Sequence, residues 1–158
     1  MTQLYRNLLA NMSNHTNLYV KDSFFSVLQQ RIASSRNRIY IIIYNWYFYK
    51  DKKECKIEII NDLILKKNAE GVDVKVVVGN RTLLNFLREK NIKVRYNKLR
   101  GLNHAKVIIV DDDWCSVGSH NLSENALTRN EEASVVSTDK NLIDQCLLYF
   151  NNLYSQCY

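Results

Sequence analysis

From Ile39 to Tyr44 the stretch IYIIIY is isoleucine or tyrosine at every position, with no charged residue in alternation. A segment of that kind is satisfied only as a β-strand covered on both faces, as strands in parallel sheets are. The chain must therefore supply layers on each side of that strand, which places it in the α/β class. The flanking pattern agrees. Phe25, Leu28 and Ile32 predict a helix over 23–35, opened by Asp22 or Ser23. Ile57, Ile60 and Ile64 predict a second helix, stopped by Gly71. Residues 74–78 and 92–96 read as strands on either side of a helix over 81–90. Two further strands, 104–111 and 114–118, form a hairpin turning at Asp112 and Asp113. A helical turn over 123–127, a strand over 131–137 and a final helix over 141–154 follow. The expected fold is a mostly parallel mixed β-sheet flanked by helices on both faces.

The 158 residues suffice for one domain spanning 1–158, with residues 1–20, which show little periodicity, as an N-terminal arm. Cys55, Cys115, Cys146 and Cys157 form no C-x2-C pair, so the expectation is four reduced thiols in a reducing, cytoplasmic setting, without a zinc knuckle or redox motif. No apolar run reaches bilayer-spanning length, and stable membrane insertion is not expected. A net charge of +6 favours an anionic partner.

The chemistry is concentrated between His104 and Asn121. His104, Lys106 and Asp111 stand in the spacing H-x-K-x4-D, and Gly118, Ser119 and Asn121 in G-S-x-N. On a strand, positions two apart share a face, so an imidazole and an ammonium are presented together where they can meet a phosphate. A lone histidine beside an apolar strand is more often a core residue than a catalyst. The spacing changes that balance. The first pattern arises by chance in about one chain of this size in a hundred, and the second, at its fixed distance, is rarer by a further factor on the order of a thousand.

The segment HAKVIIVDDDWCSVGSHN, with GVDVKVVV before it, resembles the HKD motif of the phospholipase D superfamily, in the single-motif branch that includes small endonucleases. The resemblance runs from Ile39 to Val136 and implies a phospholipase D-like fold. It also implies a metal-independent phosphodiesterase that needs no cofactor. His104 matches the nucleophile that forms a covalent phosphohistidine, and Lys106 and Asn121 match the pair that holds the phosphate oxygens. Ser119 matches the neighbouring hydroxyl, and Asp111 a structural carboxylate. Glu132 matches the carboxylate that orients the histidine, with Glu131 one residue away as the alternative. A single motif implies a homodimer with one composite site, because a second histidine must protonate the leaving oxygen. His15 and His120 lack a following lysine and do not make a second copy. Asp111, Asp112 and Asp113 suit a turn better than a metal site.

The preferred substrate is nucleic acid. Lys93, Arg95, Lys98 and Arg100 lead into His104 with no acidic residue among them, a basic approach suited to a polyanion. Tyr96, Trp46, Tyr47, Phe48 and Tyr49 offer faces for the unpaired bases of single-stranded DNA or RNA, although Trp46 fits the core slightly better. The alternatives are a phospholipid hydrolase of the cardiolipin type and a catalytically silent nucleic-acid-binding dimer module.

Overall fold

The computed structural model describes residues 15–49, 54–97 and 102–158. In chain order these form β1 (Thr16–Val20), α1 (Ser23–Ser34), β2 (Arg38–Ile43), α2 (Lys56–Ala69), β3 (Asp73–Val78), α3 (Arg81–Glu89), β4 (Lys93–Tyr96), β5 (Val107–Val110), β6 (Trp114–Gly118), α4 (Glu124–Thr128), β7 (Ala133–Ser137) and α5 (Lys140–Gln156). The strands make one seven-stranded sheet in the order β1-β7-β6-β5-β2-β3-β4. As its composition requires, β2 lies inside the sheet, and every residue from Ile39 to Ile43 is buried.

Alternation along the strands divides the core in two. Ile39, Ile41, Ile43, Val74, Val76, Ile108 and Val110 face α1, α2, α3 and α4, where they meet Phe24, Leu28, Ile32, Ile57, Ile60 and Leu87. Tyr40, Ile42, Val77, Val107 and Ile109 face the other way, against Ile143, Cys146, Phe150 and Leu153 of α5. Helices thus cover both faces, but α5 covers its face alone. In α1 the buried ring is Phe24; Phe25 is half-buried under the Lys56 ammonium, 5.1 Å from its ring centre.

Three sequence expectations need correction. Of the arm expected over residues 1–20, residues 1–14 lie outside the described residues, and Thr16–Val20 is an edge strand paired antiparallel with β7. None of its residues is buried, so it carried no alternation to read. The sheet is mixed, but the balance favours antiparallel pairs. Only β2-β3 and β3-β4 are parallel, because the β5-β6 hairpin, β7 and β1 fill the other half through antiparallel pairings. The strand expected from residue 104 begins at Val107, so His104 and Lys106 precede the regular ladder.

The register fixes where chemistry can sit. Ile42 lies opposite Val107, Val107 opposite Val117, and Gly118 opposite Ser134. The C-terminal ends of β2 and β6 and the entries to β5 and β7 therefore share one edge of the sheet. In an α/β sheet that edge is where sites are built.

Candidate active site

At that edge His104 is exposed, while Lys106, two residues on, is only 5% exposed. The Lys106 ammonium donates to the carbonyl oxygen of His104 at 2.7 Å and lies 3.0 Å from its Nδ1. Among the described residues no carboxylate is within ion-pairing distance of this nitrogen. Burial pushes the Lys106 pKa down, opposed by the charge of Glu132. A buried cation without a direct counterion is costly to hold, and an incoming anion relieves that cost.

Asn121 completes the cluster. Its Oδ1 accepts the backbone N–H of Asn45 at 3.2 Å, which fixes the side-chain amide with its oxygen turned inward. Its NH2 is left as the end free to donate to an anion. Gly118 makes this approach possible. A Cβ there would overlap the Ser134 hydroxyl and come within 2.5 Å of the Ala133 carbonyl oxygen, so only glycine lets β6 and β7 close together.

Ser119 donates to Glu132 and accepts the Ala133 N–H at 3.1 Å. Glu132 also accepts from Asn130 at 3.1 Å. No hydrogen bond joins Glu132 to His104 in the single chain. Of the two neighbouring carboxylates, Glu132 bonds within the G-S-x-N loop, whereas Glu131 ion-pairs with Lys21 at 2.5 Å and is 79% exposed.

Asp111 is at the far end of β5 from His104. Its backbone is left-handed, with φ of 52°, and its carboxylate accepts the backbone N–H groups of Arg36, Asn37 and Arg38 at 2.7–3.0 Å. It ties the α1–β2 turn to the hairpin. Asp112 and Asp113 diverge from it toward Arg38 and Arg31.

The basic approach is only partly brought to this edge. Lys98 and Arg100 lie outside the described residues. Lys93 stands at the opposite end of the sheet, ion-paired with Asp73 at 2.6 Å. Arg95 faces α5, where it donates to the carbonyl oxygen of Tyr154 at 2.7 Å. Tyr96 lies toward the site edge but packs edge-on against Tyr158, with Arg81 over its ring.

Residues 28–154 match the family described as the cardiolipin synthase PLD-like domain. The chain belongs to the phospholipase D superfamily. Among its relatives, cardiolipin synthase B of Escherichia coli is 32% identical over 112 residues, 64% of this chain and 25% of that protein. A phospholipase D of Rickettsia bellii is 29% identical over 126 residues, 76% of this chain and 58% of that protein. The chain thus spans only part of the length of either relative. The same fold occurs in the phospholipase D family member Nuc from Salmonella typhimurium, with a TM-score of 0.74 and 23% identity, covering 91% of this chain and 97% of that one.

Four residues at this candidate site were not singled out from the sequence as parts of it. The Tyr44 ring lies 5.6 Å from that of His104, and Asn45 orients Asn121. Asn103 is buried, and its side-chain NH2 has no hydrogen-bond partner among the described residues. His120, within G-S-x-N, is 2% exposed and packs 4.5 Å from Phe24. Its Nδ1 meets the Ser134 hydroxyl at 2.7 Å and its Nε2 the Lys21 carbonyl at 2.9 Å. Burial lowers its pKa, against the Lys21 carbonyl and the Glu132 charge. Both its nitrogens are engaged, Nδ1 holding the loop to β7 and Nε2 holding it to the β1–α1 junction. The available signal was the run from Tyr44 to Phe48 directly after β2, at the end of a strand where such sheets place sites.

Proposed function

We propose that the chain is a metal-independent nuclease that hydrolyses a phosphodiester through a covalent phosphohistidine. The observation that carries this reading is the convergence of the exposed His104 imidazole, the buried Lys106 ammonium and the free NH2 of Asn121. Nitrogen of His104 attacks phosphorus, the bond to the leaving oxygen breaks, and a proton from a second histidine neutralises that oxygen. Water then attacks the phosphohistidine, which releases the phosphate ester and restores the imidazole. Lys106 and Asn121 stabilise the charge that develops on the phosphate oxygens. Two of the three N–H donors of Lys106 are directed at the carbonyl oxygen and Nδ1 of His104, and a phosphate oxygen competes with Nδ1 for the ammonium. While Nδ1 accepts from the ammonium, the ring proton sits on Nε2. When that donor turns to the anion the proton can move to Nδ1, where a carboxylate, the role assigned to Glu132, accepts it and leaves Nε2 free to attack.

The second histidine comes from a second copy of the chain. Leu18, Val135 and Val117 lie opposite one another across β1, β7 and β6, with 65%, 37% and 40% of their surface exposed. The same row continues inward through Val107, Ile42 and Val77, which are buried under α5. Among the described residues one helix covers half of an apolar face, and none covers the rest beside the site. Leu148 and Tyr149 of α5 are also exposed. A twofold arrangement that lays the partner's α5 on the bare strands completes both surfaces at once.

A second reading, hydrolysis or transfer of a phospholipid headgroup, is favoured by the sequence relatives named cardiolipin synthase B and phospholipase D. One assay series separates the two. The purified protein and His104→Ala are incubated in EDTA with labelled single-stranded DNA, duplex DNA, RNA and cardiolipin vesicles. Nucleic-acid cleavage that survives EDTA and is lost in the variant is expected. Turnover of cardiolipin alone would reverse the order of the readings, and loss of activity in EDTA would remove the metal-free mechanism.

A further inference from the structure

We propose that the aromatic cleft that opens at Asn45, next to Asn121, is a subsite for one unpaired nucleobase of the strand being cut. The cleft has a volume of about 370 Å³ and is lined by Trp46, Tyr47, Phe48 and Phe86, with Asn45 and Thr82 among its polar groups. The inference rests on the nuclease reading above and assigns that site its neighbouring contact.

Continuity with the phosphate site is direct. The backbone of Asn45 donates to Asn121, and Leu122, the next residue, donates back to the carbonyl oxygen of Asn45 and forms a bridge with Trp46. A nucleotide whose phosphate meets Lys106 and Asn121 therefore has this cleft at its side.

The lining matches a base better than the alternatives. Among the described residues its lining holds no charged side chain. Phe48 stacks on Trp46 with ring centres 5.3 Å apart and meets Phe86 at 4.5 Å. Trp46 is fixed in turn by its Nε1–H to Asn61 at 2.6 Å. Rigid rings of this kind stack any base without loss of side-chain entropy. The side-chain amide of Asn45 makes no hydrogen bond to another described residue, and the Thr82 hydroxyl is likewise uncommitted. Both are available to the polar edge of a heterocycle, whereas an acyl chain would leave them unsatisfied.

The test compares Phe86→Ala and Tyr47→Ala with the unaltered protein on two substrates. One is a single-stranded oligonucleotide, the other a strand of the same length built wholly of abasic residues. Each variant is expected to lower kcat/KM on the base-bearing strand about tenfold and to leave the abasic strand unchanged. Equal losses on both strands, or none on the base-bearing strand, would overturn the subsite while leaving the nuclease reading intact. If the unaltered protein cleaves cardiolipin vesicles and neither strand, both readings fall together.

Discussion

The ammonium of Lys106 is held by His104 itself, at 2.7 Å from the carbonyl oxygen and 3.0 Å from Nδ1. Lysine at this position is therefore poised between the proposed nucleophile and the anion it is proposed to bind. The two states differ in which nitrogen of His104 carries the proton, because an ammonium donates and cannot accept. Glu132 acts on this balance from a distance, since its charge raises the Lys106 pKa against the effect of burial.

Glu132→Gln should therefore move the alkaline limb of the pH–kcat/KM profile to lower pH. Removal of the carboxylate leaves burial unopposed, the Lys106 pKa falls further, and the lysine loses its charge earlier as pH rises. The maximal rate is expected to drop about a hundredfold from the loss of proton positioning. Glu131→Gln, which breaks only the exposed pair with Lys21, should leave both rate and limb in place. An alkaline limb that stays fixed in Glu132→Gln would separate Glu132 from Lys106.

Asp111 is predicted to act on stability and not on chemistry. Its carboxylate accepts three successive backbone N–H groups, and its left-handed backbone suits Asp or Asn better than other non-glycine residues. Asp111→Ala should cost about 3 kcal/mol in a denaturant titration. Asp111→Asn, which keeps one acceptor oxygen and tolerates the backbone, should cost about half as much. In both, kcat of the folded fraction should be unchanged. A selective loss of kcat would return Asp111 to the chemical machinery.

How much of this was legible in the sequence follows from the range over which each signal acts. The Ile39–Ile43 strand and the Ile57, Ile60, Ile64 helix face announced themselves through local periodicity, and their burial agrees. The motif spacing located the edge on which His104, Lys106 and Asn121 gather. β1 was invisible because an exposed edge strand carries no alternation. Asn45 and His120 were missed for another reason. Their partners, Asn121 and Lys21, are 76 and 99 residues away, and nothing local in either residue predicts that meeting. Lys93 shows the opposite failure. It stands in a basic run along the chain, yet the direction of β4 puts it at the far end of the sheet from Tyr96.

The exposed row of Leu18, Val135 and Val117 gives the proposed dimer its test. Val135→Lys places a charge at the centre of the row while leaving the α1–α4 side of the sheet untouched. The expected result is a halved mass in sedimentation equilibrium, little change in the circular dichroism spectrum, and loss of phosphodiesterase activity with the mass. Full activity in a species of one-chain mass would refute the shared site.

Asp73 links stability to acid pH at the end of the sheet away from the site. Burial pushes its carboxyl up, but hydrogen bonds from Lys93, Lys75 and Tyr40 outweigh that and hold it at about 2, below the ordinary 3.8. A carboxyl depressed by folding contributes stability that is fully present above the unfolded value and is lost as pH falls through the folded one. The window is therefore between about pH 4 and pH 2. The full shift corresponds to about 2.4 kcal/mol, which solvent screening of these partly exposed pairs reduces to about 1 kcal/mol. Asp73→Asn should lower the stability measured by urea titration at pH 7 by that amount. Its deficit relative to the unaltered protein should close as both are titrated from pH 4 to pH 2, and a deficit that persists undiminished at pH 2 would show that the lost interactions do not depend on the charge.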